Sequence, residues 1–525
     1  MIKIFIFFSS MILSFSSFAK ESCTFPVKLI LKQSPKGLQV EYRASKPYTA
    51  LKLNASKETE SAFLNINQRE NIAHHSSSNI VLMNEKGLTT SFLLSPLNKY
   101  INATYAPYVN LGDSHGVFMT AITPIAMKIK PGDEWESLEE NCITFFAEKD
   151  KKLVSVEKKN NFLIFNFNEE SVLVSKKSKF NFIFNDNLPQ WLSDLITENF
   201  KKFHSYYSKE LALSNDKKLT IVASFESPES DFYDGGVHNG NTFVLRFGGK
   251  RYLNFSPAIA QHLEQFIAHE VFHIWTSNDS HEPHWLSEGG AEFAANIAKL
   301  NLKLIDREQF DTQNNLQKLT CSLEHSYKVI PGTQYWPGRY SCGHAFLHHL
   351  IGEKQFFHYW RQKLLNTREN SLNHFVSNIS PESKTALGAL TSGNSTPPPE
   401  EAIIKSYQQL IGEIIINKST PNHILKKAIF RHFMTSACDG FFSFETREER
   451  VRIYQHSSCP SSFEKANGYI EKINSLDIRS DGYLLLDSYN KSCSTRGVLT
   501  VEGKEFSADL PCKFSPSIFK NFRIQ

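Results

Sequence analysis

Residues 269–293 read HEVFHIWTSNDSHEPHWLSEGGAEF. Two histidines four apart on a helix stand one above the other on the same face, so His269 and His273 can offer two imidazole nitrogens to one metal ion. Glu270 lies about 100° further round such a helix and falls beside the ion, the place of a general base that takes a proton from an attacking water. A third ligand is then required. The segment WLSEGGAEF provides two candidates, Glu288 and Glu292, again four apart on what reads as a second helix. One carboxylate can close the coordination shell, and the other can accept a hydrogen bond from the far nitrogen of a ligand histidine and fix its tautomer. Spacing alone fits either order; the assignment adopted takes Glu288 as ligand and Glu292 as the partner of the histidine.

HEVFHIW followed by WLSEG resembles the gluzincin metallopeptidases, whose zinc is held by the two histidines of H-E-x-x-H and a glutamate from a W-L-[NS]-E-G helix. Within that group the motifs resemble the aminopeptidase-N and glycyl aminopeptidase families. In that match the third ligand falls on Glu288, one Zn2+ is expected per chain, and a thermolysin-like catalytic domain of a small sheet plus helices is implied. The 14 residues between His273 and Glu288 form a connection shorter than is usual in the aminopeptidase-N family. Downstream, YSCGHAFLHHLIG resembles the helix start Y-x-x-G-x-x-x-L of the same families, where the tyrosine hydroxyl faces the reacting carbonyl. By that match Tyr340 donates to the developing oxyanion, an interaction worth roughly 3 to 4 kcal/mol in a dry site; Tyr335 is the second candidate. Upstream, DGGVHNGNTFVLRF sits where gluzincins place the edge strand that pairs with an extended peptide. The G-x-M-E-N motif that grips a free amine in the aminopeptidase-N family is absent, so aminopeptidase and endopeptidase specificity are equally open.

Other residues near the motif have plainer readings. His281 and His284 read as exposed residues of the connecting loop, His238 as a turn histidine, and Trp275 and Trp285 as core.

Outward from the motif, the chain reads as a multi-domain α+β protein. Residues 20–187 are short β-branched and aromatic runs, such as GLQVEYRAS, NFLIFNFN and KFNFIFND, which predict an N-terminal antiparallel β domain. At LPQWLSDLITENFKKFHSYY the period becomes 3.6, with Trp191, Leu192, Leu195, Ile196, Phe200 and Phe203 on one face, so the catalytic domain is placed at 188–418. Within it come a strand (KLTIVASF), a glycine-rich turn (DGGVHNG), a strand (NTFVLRF), the helix from about Pro257 to Trp275, and further helices broken by the loop ALTSGNSTPPPE. Residues 419–525 predict a small β-rich C-terminal domain with strands at GFFSFET, RVRIYQ, GYIEKIN, YLLLDS and GVLTVEG. Its GYIEKINSLDI stretch resembles the strand-turn of PDZ domains, with Gly440 to Phe444 in the place of the carboxylate-binding loop.

Length and composition set the class. At 525 residues the chain exceeds one compact core, and a net charge of +4 without a basic stripe argues against nucleic acid as a partner. Lys3, an apolar run to about Phe15 and small residues ending at Ala19 have the layout of a signal peptide spanning 1–19. No later segment is long and apolar enough to span a bilayer, so no stable membrane span is expected after cleavage. Eight cysteines in an exported chain are expected to pair with neighbours: Cys23 with Cys142, Cys321 with Cys342, Cys438 with Cys459, and Cys493 with Cys512. The sequence therefore predicts a periplasmic or secreted zinc metallopeptidase that cleaves peptide or protein substrates with a zinc-activated water. The rival reading is a secreted protein-binding module on an inactive gluzincin scaffold, against which the retention of both Glu270 and Tyr340 counts.

Overall fold

Alternation of apolar and polar residues builds the first part of the chain into sheets. The computed structural model describes most of residues 23–524. Residues 1–22, 54–71, 95–107, 167–178, 277–281, 326–329, 331–337, 392–397, 430–443, 454–467 and 513–521 lie outside the described residues, as do other short pieces. The expected signal peptide, Tyr335, His281, Cys438, Cys459 and Gly440 are among them.

The chain divides into two compact units, Met1–Gln190 with Lys218–Asn254, and Trp191–Lys217 with Phe255–Gln525. In the first unit, Val27–Ser34 lies between Gly37–Leu53, its antiparallel partner, and Ile143–Lys149, its parallel partner. These strands belong to an eight-stranded sheet. The disulfide Cys23–Cys142 sits just ahead of the two parallel strands. A second sheet contains Tyr108–Asn110, His115–Met119 and Phe162–Asn166.

A third sheet runs in the order Phe180–Phe184, Leu219–Phe225, Thr242–Gly248, Tyr233–Asn239. Its first three strands are parallel and the last is antiparallel. Every residue of Leu219–Phe225 and Thr242–Gly248 is buried, as expected of central strands covered on both faces. Two expectations change here. KFNFIFND pairs in parallel with Leu219–Phe225 rather than closing an antiparallel domain. DGGVHNG is the edge strand itself, with the turn at Gly240, whose φ of 57° suits glycine. His238 accordingly lies on a strand, its ring 5.8 Å from that of Phe243. The sheet groups with the N-terminal strands, not with the helices that follow 188, because Val222 and Val244 pack on Val109, Leu111 and Val117.

Helices dominate the second unit: α1 Gln190–Glu210, α2 Pro257–Phe272, α3 His284–Asn301, α4 Arg307–His325, α5 Arg339–Leu350, α6 Glu353–Leu365, α7 Ser371–Ser377, α8 Pro381–Thr391 and α9 Glu400–Ile411. Leu192, Ile196, Phe200 and Phe203 of α1 are fully buried on the predicted face. Toward the carboxyl end, Phe444–Arg447, Arg450–Ile453, Gly468–Ile473, Val498–Gly503 and Ser507–Pro511 form an antiparallel sheet. GYIEKINSLDI makes a strand, a tight turn with Asn474 and Ser475 at φ of 48° and 67°, and a return strand Leu476–Asp477. YLLLDS, expected as a strand, begins helix α10, Gly482–Thr495. Gly482, Leu485, Leu486, Tyr489, Ser492 and Cys493 are its buried residues, a spacing of three to four that suits one helical face and no strand.

Candidate metal centre

The helix bearing HEVFH starts at Pro257, whose fixed φ suits a first helical position. The last turns of α2 are buried all round, from Ile267 to Phe272, so His269 and Glu270 lie inside with Ala268 and Val271. Support comes from α1, where the Tyr207 hydroxyl donates to the Ala268 carbonyl at 3.1 Å. At the far end α2 tightens into a 3-10 turn, His273–Trp275, and the Thr276 hydroxyl closes it on the His273 carbonyl at 2.9 Å.

Three donor atoms converge at this point. His269 Nε2 is 3.1 Å from His273 Nε2 and 3.2 Å from Glu288 Oε2, and His273 Nε2 is 3.4 Å from the same oxygen. A tetrahedral zinc with arms of about 2.0–2.1 Å needs its ligand atoms about 3.3–3.4 Å apart. The triangle is therefore of the size zinc requires, and its donors are the two imidazoles and one carboxylate that zinc accepts. Among the described residues this is the one such group of three or more.

Glu292 takes the other place. Its Oε2 is 3.2 Å from His269 Nδ1, on the side of the ring away from Glu288. Gln265 of α2 and Gln317 of α4 donate to its Oε1 at 3.0 and 3.4 Å. Of the two orders that spacing leaves open, the geometry has Glu288 facing both Nε2 atoms and Glu292 facing Nδ1. Burial alone would lower the His269 pKa, but its hydrogen bonds to Glu288 and Glu292 outweigh that and hold it up at about 10. Burial pulls the Glu288 carboxyl upward, and His273 and His269 more than reverse that, leaving it well below the usual carboxylate range. Glu292 is likewise lowered by His269 against the pull of burial, so both carboxylates are ionised beside the histidines.

Glu270, next to His269 in the chain, is buried. Tyr340 stands at the start of α5 with its ring 5.6 Å from that of His269. Desolvation raises its phenol above the ordinary value, Glu288 and Glu270 add to the rise, and Arg339 opposes it. The hydroxyl is consequently protonated at neutral pH and available as a donor. Arg339 donates to that oxygen at 3.0 Å, with its guanidinium 4.9 Å from the centre of the Tyr340 ring.

Glycine brings Tyr340 this close. A Cβ on Gly343 of α5 would lie 1.8 Å from the Trp285 carbonyl oxygen of α3, and one on Gly289 would lie 2.3 Å from Gly343 Cα. The two helices therefore meet backbone to backbone, one residue after Glu288. Cys342, next to Gly343, is tied to Cys321 of α4. Cys493–Cys512 is also formed, so three of the four expected pairs are present.

The sequence reading brought together His269, Glu270, His273, Glu288, Glu292 and Tyr340, and missed Gln265, Thr276, Gln317 and Arg339. Gln265 carried a usable signal, since it lies four residues before His269 on the same helical face. His284 is exposed as expected, although on the first residue of α3 rather than in a loop, and Trp275 and Trp285 are buried.

No protein-family model matches the chain, and no curated protein matches it. Among solved structures it is similar to an aminopeptidase N family protein from Idiomarina loihiensis, at 10% identity and a TM-score of 0.48, over 92% of this chain and 96% of the other. It is also similar to the native leukotriene A4 hydrolase of Saccharomyces cerevisiae, at 12% identity and a TM-score of 0.37, over 71% and 69% of the two chains. The yeast enzyme in complex with bestatin is similar over the same shares, at 15% identity and a TM-score of 0.36.

Proposed function

We propose that the protein is an exported zinc-dependent metallopeptidase in which His269, His273 and Glu288 hold one Zn2+ per chain. One observation carries the reading: three donor atoms of the right kinds stand 3.1 to 3.4 Å apart in a buried place, with a carboxylate and a phenol beside them. Zinc in that place supplies a Lewis acid that makes an attacking water acidic near pH ~7 and polarises the scissile carbonyl. Glu270 accepts the proton of that water and returns it to the leaving amine nitrogen, so the carboxylate acts first as base and then as acid. Tyr340 donates its O–H to the carbonyl oxygen as negative charge gathers there. Glu292 accepts from His269 Nδ1 and so keeps the Nε2 lone pair aimed at the centre.

The substrate class is a peptide or protein, with terminal and internal cleavage both open. Export is supported by three disulfides, which persist in oxidising compartments. Periplasm and medium both satisfy this. No helix among the described residues is long and apolar enough to cross a membrane.

The test is to incubate the protein with a diverse peptide pool, with and without a zinc chelator, and to locate the cuts by mass spectrometry. Cleavage should stop on chelation and return with zinc. The Glu270→Gln variant should retain about one zinc per chain and lose hydrolysis by roughly 10²-fold to 10⁴-fold. Cleavage that survives in the metal-free protein overturns the reading.

A further inference from the structure

Beyond the ligands themselves, one turn of α6 touches both segments that carry them. The Trp360 indole N–H donates to the Trp275 carbonyl at 3.0 Å, two residues after His273. The same ring fills the notch left by Gly290, two residues after Glu288, where a Cβ would lie 2.3 Å from the indole. One turn on, Lys363 Nζ lies 3.9 Å from the Trp360 ring centre and 2.5 Å from Glu282 Oε1. Glu282 belongs to the connection between the ligand segments, two residues before α3.

This ion pair is buried, with side chains 1% and 2% exposed. A buried pair of charges gains little net stability over apolar residues of the same volume, because desolvation offsets the attraction. What it adds is direction, since a carboxylate and an ammonium must meet at one short distance whereas apolar groups can slide. Among the described residues the second carboxylate oxygen of Glu282 has no hydrogen-bond partner, and Lys363 holds the first. Trp360 fixes the end of the His273 turn and the start of α3, and Lys363 fixes the chain between them. Neither Glu282 nor Lys363 touches a donor atom of the centre.

We infer that Lys363 and Glu282 are positioning residues that set the separation of the two ligand segments, and through it the affinity of the centre for zinc. The distance they govern is that from His273 Nε2 to Glu288 Oε2, at 3.4 Å the longest side of the triangle. The inference rests on the proposed metal-binding role of His269, His273 and Glu288.

The experiment compares the full-length protein with its Glu282→Gln, Lys363→Met and double Glu282→Gln/Lys363→Met variants. Zinc affinity is measured by competition with a chelator of known affinity, and ligand geometry by the visible spectrum of the cobalt-substituted protein. Each single variant should bind zinc about tenfold more weakly or worse, the scale on which groups outside the ligand set act, with an altered cobalt spectrum. The double variant removes both charges of this pair, so it keeps the test open where single variants do not fold; it too should bind weakly. Folded variants that melt at lower temperature yet bind zinc as tightly as the parent, with an unchanged cobalt spectrum, show a merely structural pair and overturn the inference alone. A parent protein that takes up no zinc overturns the metal-centre reading, and the inference with it.

Discussion

At the scale of single residues, Tyr340 and Arg339 make the sharpest case. An oxygen that accepts from a guanidinium must turn its own hydrogen elsewhere, and the Arg339 contact at 3.0 Å therefore leaves the Tyr340 proton free for a substrate carbonyl. Tyr340→Phe should lower kcat by roughly 10²-fold to 10³-fold with little change in KM, because the lost bond forms mainly in the transition state. Arg339→Met should lower kcat by a smaller factor and leave zinc content untouched. Steady-state kinetics with metal analysis checks both, and a change confined to KM in either variant would contradict the roles. Legibility at this scale follows chain distance. His269 with His273, and Glu288 with Glu292, were readable because four residues make one helical turn. Gln317 meets Glu292, and Lys363 meets Glu282, from helices that no local pattern connects to the motif.

Among elements, the crossing of α3 and α5 decides whether the phenol reaches the centre. Gly343→Ala would drive a methyl group into the Trp285 carbonyl. The helices must part, at a cost of about 3 kcal/mol or more, and Tyr340 should withdraw, so the variant should melt lower and lose kcat while still binding zinc. Full activity in a folded Gly343→Ala protein would show that the contact is not needed. Further along α5, His344 Nε2 is 2.8 Å from Asn314 Oδ1, and burial lowers its pKa to about 3. The unfolded chain takes up this proton near pH ~6.5, whereas the folded one resists it. The contribution is therefore complete above that pH and is lost as pH falls toward 3, amounting to about 2 kcal/mol between pH 7 and pH 5. His344→Asn should flatten that part of the stability profile, measured as urea midpoints across the range. Helix and strand types were legible where one face is buried. YLLLDS misled because a run of adjacent leucines has no period of its own, and DGGVHNG because the glycines that suggest a turn also suit an edge strand.

For the whole molecule, one connection that sequence patterns do not show is secured by a disulfide. Val27–Ser34 and Ile143–Lys149 pair in parallel, yet Cys23 and Cys142 just ahead of them are 119 residues apart. Bringing such distant strands together costs loop-closure entropy before any contact repays it, so a covalent tie at their start removes states from the unfolded chain. In the chain-entropy account the stabilisation is about 4–5 kcal/mol. The shorter Cys321–Cys342 and Cys493–Cys512 loops, with separations of 21 and 19, are each worth about 3 kcal/mol on the same account. Neighbour pairing of cysteines could be guessed from their order along the chain, whereas the parallel pairing behind Cys23–Cys142 could not, since strand alternation does not reveal strand direction. The Cys23→Ser/Cys142→Ser protein should accordingly lose hydrogen-exchange protection first at Val27–Ser34 and Ile143–Lys149, while Pro257–Phe272 and His284–Asn301 keep theirs and zinc content is unchanged. Exchange followed by mass spectrometry on the two proteins reads this directly. Loss of protection spread evenly over the sheet and helices alike would show that the tie stabilises the chain as a whole and not this one pairing.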